Sequence, residues 1–181
     1  MPESDVLLTI AEVATAFAGF ASLVGILGRG GSAADPRILS LRMRAMLLTS
    51  LIVVGFALLP VLLALYGADA RPDWVLSSAA LAAVNLAYDF WLRGAIRAAG
   101  RAGLTPTRFQ RLVIIPTLLL TSVAVTLFLV VNLVLARPAN YVTALLLLLF
   151  QSGFAFALIV FSFLPAIGGE LPVTAGVDEE G

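Results

Sequence analysis

One carboxylate lies inside the first apolar stretch of this chain, where its charge could bind or relay a cation. Glu12 stands among apolar and small residues in the segment TIAEVATAFAGFASLVGIL, residues 9–27. At 1.5 Å per residue it is roughly 9 Å beyond residue 6, where the apolar stretch begins. An ionised acid facing lipid at that depth costs at least a few kcal/mol. We therefore expect Glu12 to be protonated, paired or hydrated.

Other polar residues interrupt the later apolar stretches and can be ordered by depth. From the outer to the inner side, the order is Asn132 and Glu12, then Thr15, Asn85 and Gln151, then Asp89 and Arg93. Asp89 and Arg93 are four residues apart, a spacing that lets them pair along one helix face. This order predicts an ion pathway with Glu12 as its charged group and Asp89/Arg93 as its inner gate. The alternative is structural: the amides form interhelical hydrogen bonds of about 0.5–2 kcal/mol each, and Asp89/Arg93 is an ion pair near the interface.

Small residues surround Glu12 on one side of the first helix. At 100° per residue, the small face comprises Glu12, Thr15 and the packing candidates Ala11, Ala18, Gly19, Ser22 and Gly25. Small residues let helix backbones approach closely, either within a bundle or between subunits. We therefore expect Glu12 to lie on a close-packed side and the protein to be a homo-oligomer.

A second candidate site is basic. Its residues are Arg93, Arg97, Arg101, Arg108 and Arg111. The first three recur every four residues and share one helix edge. They could bind anionic lipid headgroups or an acidic protein partner, although membrane topology alone would also explain their charge.

Composition limits the class of protein. Hydrophobic residues make up 61% of the chain and charged residues 12%, with a mean hydropathy of +1.06, which is too apolar for a soluble domain. Cysteine and histidine are absent, so thiol chemistry, imidazole proton transfer and the usual metal ligands are excluded. We therefore expect no enzymatic activity, no metal and no cofactor, and zero net charge gives no sign of a nucleic-acid partner.

Five stretches are long and apolar enough to cross a bilayer of about 30 Å. With their capping signals they predict helices over about 6–27, 36–66, 73–102, 106–136 and 140–165, followed by a flexible acidic tail, 166–181. Asp35-Pro36 and Thr105-Pro106 mark helix starts, and Pro60 and Pro116 predict kinks. The predicted fold is all-α: a polytopic integral membrane protein in one domain, residues 1–181, formed by five transmembrane helices with short loops.

Arginine distribution predicts the orientation. The segments joining helices 1 to 2 and 3 to 4 hold most of the 11 basic residues, all of them Arg, which places both segments in the cytoplasm. The N-terminus is then outside and the C-terminus inside, unless helix 5 re-enters at its central QSG and returns the tail outside. The Arg-only, Ala- and Gly-rich composition favours a bacterial cytoplasmic membrane.

Two functions follow as expectations. The first is a homo-oligomeric channel or carrier for protons or small cations that uses Glu12. The second is a non-catalytic accessory or assembly subunit that docks a protein partner or anionic membrane lipids through its cytoplasmic Arg-rich hairpin.

Overall fold

The computed structural model describes residues 2–27, 36–66, 70–103, 108 and 110–161. The helices are α1 (Pro2–Leu27), α2 (Pro36–Leu65), α3 (Ala70–Arg101), α4 (Ile115–Leu135) and α5 (Pro138–Phe161), and a π-helical turn, Gln110–Ile114, precedes α4. The described residues form no strand, and all five helices are long and apolar enough to cross a membrane. This confirms the all-α class and the five helices. The predicted helix start at 105–106, the end of helix 5 at 162–165 and the tail 166–181 lie outside the described residues.

The two central helices are α2 and α5. The first packs against α1, α3 and α5, and the second also packs against α1 and α4, whereas α1 makes no contact with α3 or α4 in the described part of the chain. Apolar residues from all five helices form the main core, which includes Leu7, Val53, Leu81, Leu129 and Leu145. A smaller cluster near the start of α2 involves only α1, α2 and α5. The described core residues therefore come from all five helices in the main cluster, but from only three helices near the start of α2.

Pro60 lies inside α2, which continues through it. Proline has no N–H, so the carbonyl four residues earlier, that of Phe56, loses its helical donor. The hydroxyl of Tyr141 on α5 donates to this oxygen at 2.6 Å. A side chain from the neighbouring helix thus satisfies the carbonyl that proline exposes.

Pro116 lies in the first turn of α4, directly after the π-helical turn. Its missing N–H would otherwise bond the carbonyl of Leu112, which lies inside that turn. At the proline where the sequence predicts a kink, the structure shows a change in helix type on the N-terminal side.

Asn132, in the last turn of α4, accepts the hydrogen bonds that cap the end of this helix. Ala136 adopts the left-handed conformation, with φ 47°, and its N–H donates to the Asn132 carbonyl at 2.9 Å. The N–H of Arg137 donates to the Asn132 side-chain oxygen at 2.7 Å. Asn132 therefore accepts hydrogen bonds from the backbone N–H groups of the two residues that follow the helix.

Candidate functional site

Glu12 is exposed at the outer surface of the bundle. It lies on α1 within the membrane-length segment Ser4–Leu23, eight residues and about 12 Å from Ser4. Its carboxylate has no hydrogen-bond or ion-pair partner among the described residues. The expectation of a sheltered, close-packed Glu12 is therefore not met within the described part of this single chain.

The orientation of α1 explains this exposure. Its buried side chains are Leu7, Ile10, Ala11, Ala14 and Ala21. Glu12 is two residues from Ala14, hence about 160° around the helix from the centre of the buried side. The buried side of α1 therefore includes Ala11 of the predicted small face together with the larger Leu7 and Ile10.

The predicted packing residues consequently divide. Ala11 is buried and Ala18 half-buried, whereas Gly19 and Ser22 are exposed, and a Cβ on Gly19 would meet nothing within 4 Å. The surroundings of Gly25, near the end of α1, lie outside the described part. The small residues of α1 therefore do not all contribute to packing between the helices of this chain.

A regular seam runs along the exposed side of α1. Its members are Asp5, Leu8, Glu12, Thr15, Gly19 and Ser22, all exposed. They are separated by three and four residues alternately, so they lie on one face of the helix. Thr15 and Ser22 donate their hydroxyls to the backbone carbonyls one turn earlier, at 2.8 and 3.1 Å, so both hydroxyls are satisfied within α1. We call these six residues the α1 seam.

Three residues of the predicted ion pathway lie elsewhere, between α3 and α4. Asn132 is fully buried and donates to the Ser78 hydroxyl at 2.8 Å. Asn85 donates to Thr126 at 3.3 Å, and Asp89 accepts a hydrogen bond from Ser122. These bonds join two antiparallel helices at three levels. The α3–α4 residues are thus separated from Glu12, because α1 does not touch either helix.

The proposed inner gate is not formed as an ion pair. Arg93 is exposed and makes no ion pair with Asp89, whose carboxylate is instead directed towards Ser122. The four-residue spacing allows pairing, but a hydroxyl on the facing helix is the partner in this structure.

Gln151 of α5 lies beside two cavities of the bundle. It is 5% exposed, and its side-chain oxygen has no hydrogen-bond partner. It lines a cavity of about 200 Å³ with residues of α2, α3, α4 and α5, and also an adjoining cavity of about 90 Å³ that includes Asp89 and Arg93. The predicted pathway residues therefore do not form one row. Gln151 shares the smaller cavity with Asp89 and Arg93, whereas Glu12 and Thr15 lie on the exposed side of α1.

The basic residues lie on the surface as expected from their spacing. Arg93, Arg97 and Arg101 are exposed along α3, and Arg108 is also exposed. The side chain of Arg111 lies outside the described residues. None of the four described arginines has an acidic partner within the described chain, which leaves their charge available to other molecules.

Sequence reasoning had placed four of the six seam residues on the small face of α1 and did not include Asp5 and Leu8. It missed the cavity, because the lining residues come from four helices and only packing brings them together.

Comparison with protein-family models, with curated proteins and with solved structures gives no match. The functional argument therefore depends on the geometry of these residues.

Proposed function

We propose that this protein is a homo-oligomeric membrane channel or carrier for protons or small cations, in which the α1 seams of several protomers meet at a symmetry axis. The observation that supports it is the exposure of Glu12 midway along a helix of membrane-spanning length. A carboxylate there is costly against lipid. Packing between protomers would remove it from acyl chains.

The seam fits this arrangement. Gly19 permits close backbone approach, and the three-four spacing lets equivalent helices pack along their whole length. Symmetry would bring one Glu12 carboxylate from each protomer towards the axis. Adjacent carboxylates repel unless protons or cations lie between them, and such a ring selects for cations.

The proposed pathway uses Glu12 and Thr15 rather than the whole predicted set. Asn85, Asp89 and Asn132 serve the α3–α4 interface through their hydrogen bonds. The proposed location is a bacterial cytoplasmic membrane with the N-terminus outside and the Arg-rich ends inside, since basic residues favour the cytoplasmic side.

Ion flux into liposomes, measured at several pH values, tests this function. Glu12→Gln keeps the size of the side chain and removes its charge, so we expect assembly to persist and flux to fall to the level of protein-free liposomes. The matched control is Asp89→Asn, which still accepts the Ser122 hydrogen bond and should leave flux unchanged. Unchanged flux in Glu12→Gln would refute the proposal, and loss in Asp89→Asn would move the path to α3–α4.

A second candidate function is a non-catalytic accessory subunit. The observation favouring it is the exposed row Arg93, Arg97 and Arg101, which has no acidic partner in the described chain. Changing all three to Gln should release a co-purifying protein or anionic lipid while the helical fold persists. If nothing co-purifies with the unaltered protein, this candidate loses its support.

A further inference from the structure

The cavity beside Gln151 lies where the bundle is least filled. Its walls are largely apolar and include Leu92, Ile96, Leu118, Phe154 and Leu158. The main core reaches Leu148 on α5, and the smaller cluster contains no residue from α3 or α4. α3 and α4 therefore leave a gap against α2 and α5, close to the start of α2 and the end of α3.

The polar residues of this cavity are arranged by depth. Arg42 lies near the start of α2, and Thr49 is seven residues, about 10 Å, further along the helix. Thr49 and Tyr88 bond one another at 3.0 Å and the Ala45 carbonyl at 2.9 and 3.3 Å, so their hydroxyls are satisfied. Arg42 is thus nearest the start of α2, and the cavity extends from it between largely apolar walls that also include Gln151.

Arg42 is half-buried and has no acidic partner among the described residues. A guanidinium in this position needs an anion or water, and phosphate matches its planar donors. Basic pockets between membrane helices bind anionic headgroups in this way. The apolar side chains that line the rest of the cavity suit a lipid acyl chain.

We propose that this cavity binds one anionic phospholipid of the leaflet at the Arg-rich end, with its phosphate on Arg42 and one acyl chain between α2, α3, α4 and α5. This site is distinct from the α1 seam, and its occupation does not depend on ion transport.

Lipid retention by the full-length protein in detergent micelles tests the headgroup site. The protein is mixed with phosphatidylglycerol or phosphatidylcholine of identical chains, and bound lipids are counted by native mass spectrometry. Arg42→Gln should weaken phosphatidylglycerol binding about fivefold, the factor for about 1 kcal/mol per basic residue, and leave phosphatidylcholine unchanged. Arg44→Gln is the matched control, because Arg44 is exposed and does not line the cavity.

A second pair of variants tests the position of the chain. Ala99 lines the cavity and its neighbour Ala98 is exposed, so Ala99→Phe should lower binding of both lipids whereas Ala98→Phe should not. Equal retention by Arg42→Gln and Arg44→Gln would overturn the headgroup assignment, whether the true occupant is the acidic segment 170–180 or none. Unchanged binding in a folded Ala99→Phe would overturn the chain assignment.

Discussion

The hydroxyl of Tyr141 on α5 donates to the Phe56 carbonyl of α2 at 2.6 Å, at the point where Pro60 removes the helical donor. Tyr141 is fully buried, and its ring contacts Trp74 of α3 with centroids 5.6 Å apart. The Tyr141 side chain therefore joins the two central helices, and its hydroxyl replaces the backbone donor that Pro60 removes from α2.

This relationship predicts a coupling between Tyr141 and Pro60. Tyr141→Phe should lower the free energy of unfolding by about 1 kcal/mol, the scale of a hydrogen bond between membrane helices. In a Pro60→Ala background the restored N–H can bond Phe56, so the same change should cost less. Unfolding in micelles measures both, with exposed Tyr66→Phe as control, and an equal cost in the two backgrounds would contradict the coupling.

Asn132 should be more important for stability than for transport. Asn132→Leu removes the bond to Ser78 and leaves the Arg137 N–H without its acceptor, so we expect a loss of about 1–3 kcal/mol. The matched control is Asn140→Leu, because the Asn140 amide nitrogen is buried without a partner and its removal should cost little. Similar losses in both variants would show that the hydrogen bonds are not the cause.

Gln151 is predicted to be a stability defect. Its unpartnered buried oxygen has an unfavourable desolvation free energy, so Gln151→Leu should stabilise the protein by about 1 kcal/mol. Ion flux should be unchanged, since Gln151 lines a cavity between α2, α3, α4 and α5 and is not part of the α1 seam. Thermal unfolding and the liposome assay check the two halves, and a fall in flux would return Gln151 to the pathway.

The proposed assembly predicts cross-linking between equivalent α1 helices. The chain has no native cysteine, so Gly19→Cys alone can report contacts between protomers. Oxidation should give covalent dimers, because two cysteines form a disulfide only when their Cα atoms are within about 7 Å.

Ala83→Cys is the control for that experiment, since Ala83 is exposed on α3, away from the seam. It should remain monomeric on a denaturing gel. Dimers from Ala83→Cys and none from Gly19→Cys would exclude the α1 axis.

The sequence was sufficient to predict where the helices lie along the chain, but not which face of each helix is buried. Hydropathy and proline positions predicted five helices close to those observed, because chain segments about 20 residues long and apolar satisfy their backbone only as helices in lipid. The orientation of α1 was not predictable in the same way. Lipid is as apolar as a leucine core, so polarity alone does not direct one helix face inward.

Individual residues show which conclusions came from the sequence and which required the tertiary structure. Sequence alone determined that Glu12 lies inside the first apolar stretch, that Asn132 and Gln151 interrupt apolar helices, and that Arg93, Arg97 and Arg101 share an edge, because rise and periodicity are local properties of a helix. Only the tertiary structure decided that Asn132 bonds Ser78, that Gln151 borders a cavity and that Glu12 is directed outward. Those outcomes depend on which helices pack together and at what rotation, and that choice is made by contacts between residues far apart in the chain.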